Sequence, residues 1–210
     1  MIEERFKYGI RLRHFFPQDI LEGLLDLINN PPQVDQIKTV PLRRIVDGEE
    51  VPTDKKLGLY SRQNNPIVMR ATDFCRKYFH THKESIVVKE GNGWIDFDED
   101  ESPYIMGGEL QTTPPQCRYG CHQDTISKLH TLIIYLHPQD GNGTIFYDDM
   151  NKQKTRGLGG EEDPWEINSG YWMGIDLERP YHSYQNNTDE TRWIFMFNVR
   201  KKVKIPLDNR

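Results

Sequence analysis

The sequence predicts a mainly β protein, a sandwich or barrel-like jelly roll, with helices confined to its N-terminal third. Three observations lead there. Helical periodicity occurs only twice, both times before residue 84. From about residue 85, short apolar runs alternate with turn residues at the spacing of sandwich and barrel strands. The run that opens at Arg192 is apolar on both faces, as a strand buried between two layers must be.

The first helix is expected over Gln18 to Asn30, where Ile20, Leu21, Leu24, Leu25, Leu27 and Ile28 recur at helical spacing. Pro17 suits its first turn, and Asn29-Asn30-Pro31-Pro32 stops it. The second should begin at Asn65-Pro66, a cap residue followed by proline at the first helical position, with Ile67, Ala71, Phe74, Cys75 and Tyr78 as its buried stripe. Both helices read as supports packed on a sheet. Beyond them, Ser85-Ile86-Val87-Val88 and Trp94-Ile95-Asp96-Phe97 flank Glu90-Gly91-Asn92-Gly93 as a hairpin. Further strands are expected at 104–113, 118–124, 129–137, 143–148, 170–176 and 191–200. Asp98 to Pro103 and Met150 to Pro164 read as loops, the second with a glycine cluster that suits either a lid or ordinary surface chain. No repeat or linker divides the chain. Residues 1–210 are therefore expected to form one domain, with an N-terminal strand and helices over 1–84 and a jelly-roll core over 85–205.

Composition narrows the function. The chain has 210 residues and a net charge of −5, which disfavours a general nucleic-acid binder. The basic run Arg200-Lys201-Lys202-Val203-Lys204 reads as a solvated terminal strand. No apolar run approaches a membrane span, and the N-terminal residues lack the apolar centre of a signal peptide. Cys75, Cys117 and Cys121 have no framework spacing, so reduced thiols and a cytoplasmic location are expected.

The chemistry lies in His122-Gln123-Asp124, the distal His182, and Arg192. In a strand, residues i and i+2 point to one face, so an imidazole and a carboxylate share one space. Two histidines and a carboxylate on one side of a metal leave positions open, the arrangement of non-haem Fe(II) oxygenases. His130 and His137 lack an acidic partner two residues away and read as core or rim residues. His14, His80 and His82 read as surface. Arg192 heads a strand with Arg192, Ile194 and Met196 on one face and Trp193, Phe195, Phe197 and Val199 on the other. An inward guanidinium there is costly unless it meets a counter-charge, and a bound dicarboxylate would supply one through paired hydrogen bonds. A strand-end arginine paired internally or reaching solvent is the structural alternative. Tyr135 shares a face with Thr131 and Ile133, and its phenol is a candidate donor to the same carboxylate. Cys117, Cys121 and His122 could suggest zinc, but Cys121 would point away from His122 and no fourth ligand is evident.

These segments resemble the 2-oxoglutarate/Fe(II)-dependent dioxygenase superfamily, and within it the prolyl-4-hydroxylase-like branch. The resemblance rests on His122-Gln123-Asp124, on Thr131-Leu132-Ile133-Ile134-Tyr135-Leu136 as a T-x-x-x-Y-L strand, on Gly141-Asn142-Gly143-Thr144-Ile145-Phe146 as a glycine turn leading to T-x-F, and on Pro180-Tyr181-His182 through Arg192. It covers about residues 104–200. It implies a double-stranded β-helix of the cupin-like jelly-roll type, with His122, Asp124 and His182 holding iron. Arg192, helped by Tyr135, would grip the 5-carboxylate of 2-oxoglutarate. The implied reaction consumes dioxygen, releases succinate and CO2, and hydroxylates a substrate C–H bond. A prolyl residue of a protein or peptide and a small molecule are the candidate substrates, and ascorbate is the expected auxiliary reductant. Asp124 favours hydroxylation over halogenation. Asn198 stands where the superfamily's nucleic-acid demethylases carry a second arginine, which disfavours a nucleic-acid substrate, and Met196 replaces a usually small or hydroxylated residue. The competing classes are a catalytically silent jelly-roll binding module and a cupin-like metal isomerase or hydrolase. Neither gives Arg192 a task.

Overall fold

Strand β9 (Lys128–His137) and strand β16 (Arg192–Lys201) pair antiparallel along most of their length at the centre of the larger sheet. The structure, a computed structural model, describes residues 1–31, 36–38, 42–46, 49–61, 65–82, 104–125, 128–150, 157–158, 160–174 and 180–201. Before β9 come β1 (Ile2–Phe6), β2 (Gly9–Arg13), helix α1 (Gln18–Asn29), β3 (Gln36–Lys38), β4 (Arg43–Val46), β5 (Glu49–Pro52), β6 (Leu57–Ser61), helix α2 (Pro66–Thr81), β7 (Tyr104–Thr113) and β8 (Arg118–His122). After β9 come β10 (Thr144–Tyr147), β11 (Asp149–Met150), β12 (Gly157–Leu158), β13 (Glu161–Asp163), β14 (Gly170–Met173) and β15 (Tyr181–Gln185), then β16. The larger sheet has the order β1-β2-β14-β9-β16-β7-β6-β3, and the smaller β13-β10-β15-β8-β4-β5; β11 and β12 form a separate ribbon. The two sheets are antiparallel throughout the described pairs, as a jelly roll requires.

The alternation read from β9 and β16 divides the core in two. Leu132, Ile134, Leu136, Trp193, Phe195, Phe197 and Val199 join the helices in one buried cluster. Ile133, Tyr135, Ile194 and Met196 join Phe146, Tyr171 and Met173 in another, on the opposite face of the larger sheet. Helix α2 starts where expected: the Asn65 side chain accepts from the Ile67 N–H at 2.9 Å, with Pro66 in the first turn. Its buried face comprises Val68, Ala71, Thr72, Cys75, Tyr78 and Phe79, rotated slightly from the expected stripe, with Ile67 and Phe74 only partly covered. Close approach to β7 explains the rotation. A Cβ on Gly108 would stand 2.4 Å from Thr72 Oγ1 and 2.5 Å from the Phe195 ring, so the absent side chain lets the helix settle on its Thr72 edge.

His130 on β9 belongs to the helix-side core. It is 1% exposed, and the Phe79 and Trp172 rings stand 5.9 and 5.8 Å from its own. Trp172 Nε1 donates to His130 Nδ1 at 3.3 Å, so the neutral ring carries its proton on Nε2. Burial lowers its pKa to about 4. The unfolded chain therefore takes up a proton below its ordinary pKa near 6.5, while the folded chain resists until about 4. Stability contributed by this ring is present above pH 6.5 and is lost as pH falls, with a limiting slope of ~1.4 kcal/mol per pH unit. Urea unfolding at pH 7 and pH 5 should show that loss, and His130→Gln should flatten it.

Six expected strands, from 104–113 to 191–200, match β7, β8, β9, β10, β14 and β16. The strand expected at 118–124 ends at His122, because the β8–β15 ladder ends on the His122–His182 pair. Besides the one N-terminal strand expected, β2 to β6 and β15 add to the expected set. Part of the expected 150–164 loop is strand: β13 forms an edge of the smaller sheet, while 151–156 and 159 lie outside the described residues. The hairpin expected at 85–97, the loop at 98–103 and basic residues 202–204 also lie outside them. Cys75, Cys117 and Cys121 are buried and form no disulfide among the described residues. Among the described residues, no helix is long and apolar enough to cross a membrane.

Candidate metal centre

Strand β15 lies between β10 and β8, and register sets Phe146, His182 and His122 side by side across the sheet. The β8–β15 register slips between His182 and Tyr184: Tyr184 faces Tyr119, leaving one extra residue in β8. Such a bulge breaks the two-residue alternation, so Tyr119 and His122 reach the same face although they are three apart. Their rings meet edge to face at 4.4 Å, and Tyr119 stacks on Tyr184 at 5.5 Å.

The His122 and His182 rings are 4.3 Å apart. Each is tied at Nδ1 to a backbone carbonyl two residues earlier, His122 to Gly120 O at 3.0 Å and His182 to Pro180 O at 3.1 Å. A carbonyl only accepts, so Nδ1 bears the proton and each Nε2 keeps a free lone pair. Asp124 follows the end of β8 and is held by side chains: Lys128 Nζ donates to Oδ1 at 2.8 Å and Thr131 Oγ1 to Oδ2 at 2.9 Å. One ligand atom from each of His122, Asp124 and His182 lies within 4.8 Å of the others, and no other such cluster occurs among the described residues.

The electrostatics prepare these groups for a cation. Burial, with His182 alongside, drives the His122 pKa down to about 3, and burial also lowers that of His182. Burial opposes the charge on Asp124, but Lys128, His182 and the hydrogen bond from Thr131 outweigh it and hold its pKa at about 2. Metal ligation needs neutral imidazoles and an ionised carboxylate. This donor set fits Fe(II), with coordination positions left for other ligands.

Arg192 opens β16 and is 1% exposed, yet Nε, Nη1 and Nη2 meet no hydrogen-bond partner among the described residues. Its guanidinium carbon stands 4.3 Å from the Tyr184 ring, 5.1 Å from Trp165 and 5.7 Å from Tyr135. Burial lowers its pKa, but an arginine remains charged. The buried hydroxyls of Thr144 and Tyr171 also lack a well-formed hydrogen bond, and Tyr171 is electrostatically coupled to Arg192. An unpartnered guanidinium fork is a group that a carboxylate could satisfy through paired hydrogen bonds.

Tyr135 takes a different part from the one expected. Its hydroxyl donates to Asp163 Oδ2 at 2.9 Å and accepts from the Thr144 N–H at 3.0 Å, so its single proton is already used. The ring remains as a wall beside Arg192. Asp163 is 2% exposed, and Arg11 Nε binds its other oxygen at 3.0 Å, which keeps this internal carboxylate engaged away from Arg192. Burial raises the Asp163 pKa to about 6 against the pull of Tyr135 and Arg11.

No family model matches the sequence, and neither does any curated protein. Solved structures do match in shape. A Pseudomonas putida prolyl-4-hydroxylase aligns over 94% of this chain and 95% of its own, with TM-score 0.57 and 11% identity. The fold is that of the 2-oxoglutarate/Fe(II) oxygenases. HygX from Streptomyces hygroscopicus, solved with nickel and 2-oxoglutarate, aligns over 92% of this chain and 83% of its own at TM-score 0.58 and 10% identity. A Trichoplax adhaerens prolyl hydroxylase in complex with a hypoxia inducible factor peptide fragment aligns over 91% of this chain and 83% of its own at TM-score 0.56 and 12% identity.

Within this oxygenase fold a small pocket opens beside Asp124 and His182, lined also by Lys128, Leu129, Thr131, Met173 and Pro180. Among the contributors that sequence reasoning missed, Tyr184 had a legible signal, since it lies two residues after His182 on the same strand. Thr144 sits in the glycine turn of the resemblance. Tyr171 and Trp165 carried no signal, because only the fold brings them to Arg192, and Asp163 carried none, because only the fold brings it to Tyr135.

Proposed function

We propose that the chain is an Fe(II)- and 2-oxoglutarate-dependent dioxygenase that hydroxylates a substrate C–H bond. The observation that carries this is the buried, unpartnered guanidinium of Arg192, which reaches from the larger sheet to the smaller sheet that carries the two histidines of a two-histidine, one-carboxylate cluster. Tyr184, which packs on Arg192, is two residues from His182 on β15. Same-face neighbours on a strand stand about 7 Å apart, the length scale of a five-carbon dicarboxylate. A metal isomerase or hydrolase would leave that charge without a purpose.

His122, Asp124 and His182 would hold the iron. Arg192, with the hydroxyls of Tyr171 and Thr144, would hold the far carboxylate of 2-oxoglutarate. When bound, iron and co-substrate together supply dioxygen activation, with 2-oxoglutarate leaving as succinate and CO2. The rings of Tyr184, Trp165 and Tyr135 exclude water around the guanidinium and strengthen its grip on an anion. Lys128 and Thr131 keep Asp124 ionised and oriented. The pocket beside Asp124 and His182 would receive the substrate, either a prolyl residue of a protein or peptide or a small molecule. The peptide bound by the Trichoplax enzyme supports the first class, and the hygromycin B bound by HygX the second. Ascorbate would serve as auxiliary reductant, with the cytoplasm as the proposed setting.

The test is an anaerobic titration of metal-free protein with Fe(II) and then 2-oxoglutarate. A saturating visible charge-transfer band is expected from chelation, followed in air by succinate formation that rises with substrate. Bound iron with no band would mean a metal protein of another class.

A further inference from the structure

We propose that Asn198 is a positioning residue for the metal-binding carboxylate, fixing through Thr131 the direction in which Asp124 presents its oxygens. This rests on the reading of His122, Asp124 and His182 as metal ligands.

Asn198 lies on the same face of β16 as Arg192, Ile194 and Met196, and pairs in register with Thr131 of β9. Both are enclosed, Asn198 4% and Thr131 2% exposed. An amide in such a place costs free energy unless its polar atoms are used, so an apolar side chain would serve packing better. Thr131 Oγ1 stands 2.9 Å from Asp124 Oδ2 and 3.1 Å from Asn198 Oδ1. A threonine hydroxyl has one proton and cannot donate to both. Asp124 is ion-paired with Lys128 Nζ at 2.8 Å, a carboxylate only accepts, and a hydrogen bond to a charged group is the stronger, so the proton goes to Asp124. The contact with Asn198 must then run the other way, with the amide turned to place Nδ2 toward Thr131 Oγ1. The result is a directed chain, Asn198 to Thr131 to Asp124, that begins on the strand carrying Arg192. With Lys128 on Oδ1, both oxygens of Asp124 have an oriented donor, and the lone pairs left over are those available to a cation. Asn198 thus links the co-substrate strand to the metal ligand that lies beyond the end of β8.

The readout is Co(II) affinity of the metal-free protein, by calorimetry without co-substrate or substrate. Asn198→Leu should weaken Co(II) about 10-fold or more, within the range for partners that orient metal ligands. Thr131→Val should weaken it at least as much, and Thr131→Ser, which keeps the hydroxyl, should bind within about 3-fold of the unsubstituted chain. The double variant Thr131→Val/Asn198→Leu should bind about as well as Thr131→Val alone, because the second change removes a donor with nothing left to act through. Urea unfolding of each metal-free variant separates this effect from loss of fold. Asn198→Leu binding Co(II) like the unsubstituted chain would overturn the proposal, and so would a double variant weakened by the product of the single effects. If the unsubstituted chain binds no Co(II), the metal reading itself fails.

Discussion

Arg192→Met is expected to make the metal-free protein more stable while removing its response to 2-oxoglutarate. The two signs have one cause. The guanidinium is 1% exposed, and its three nitrogens have no hydrogen-bond partner among the described residues. Tyr184 at 4.3 Å offers a favourable ring face, and Trp165 and Tyr135 are near the limit of useful range, together worth about 2–3 kcal/mol. Removing a charge from water without a partner costs several kcal/mol even after relaxation, so the deficit wins. Methionine keeps most of the packing and drops the charge, and a gain of about 1–4 kcal/mol in urea unfolding is the expected scale. Ligand should reverse the order. The unsubstituted chain should gain about 2.7 kcal/mol when 2-oxoglutarate is present at a hundred times its dissociation constant, and the variant should gain almost nothing. A large loss of stability in the metal-free variant would mean that Arg192 has an internal counter-charge, and the carboxylate-anchor role would fall with it.

What the sequence disclosed follows the range of the forces involved. The division of β9 and β16 into two faces was legible because strand alternation is local, and both faces are buried as read. The Asn65-Pro66 helix start was legible because a cap acts within one turn. His122, Asp124 and His182 were legible as chemistry by residue type and spacing, and the fold brings their side chains together. The route was less so. The spacing argument set Asp124 on a strand, whereas β8 ends at His122 and Asp124 is held by Lys128 and Thr131. The hydrogen bond that Tyr135 makes was not legible, for a non-local reason: its phenol donates to Asp163, which an edge strand brings alongside. Tyr171 was invisible for the same reason, since its place near Arg192 depends on how β14 is brought to it. The short strands between residues 36 and 61 carry weak alternation, and pairing makes them strands: β6 on β7 and β4 on β8, with β3 and β5 added outside them.

His182→Ala should abolish tight metal binding, and of the two histidine substitutions it should be the more severe. His182 is 5% exposed and occupies the middle of the row Phe146, His182, His122, with β10 and β8 fixing its strand on both sides. His122 is only partly buried, at the end of its strand, where water can approach a vacated position. Four-ligand zinc sites bind with about 10–16 kcal/mol, so one ligand accounts for roughly 3–4 kcal/mol. At 1.4 kcal/mol per tenfold, its removal predicts a loss of about 10²–10³-fold in Co(II) affinity. The pH dependence provides an independent check. Burial holds the His122 pKa at about 3 and lowers that of His182, while Asp124 is held at about 2. The His122 imidazole and the carboxylate are therefore in their ligating forms at pH 6, with His182 shifted in the same direction, so Co(II) affinity should stay nearly flat from pH 8 to pH 6. A histidine pair at its ordinary pKa near 6.5 would lose affinity over that interval through proton competition. The same shifts carry a stability cost at acid pH, because the unfolded chain binds protons that the folded histidines refuse. Metal-free protein should lose stability below pH 6.5, and His182→Ala should lose less of it. A metal affinity that fell steeply from pH 8 to pH 6 would show that the imidazoles are not held neutral by burial, and the site would lose its claim to be prepared for a cation in advance.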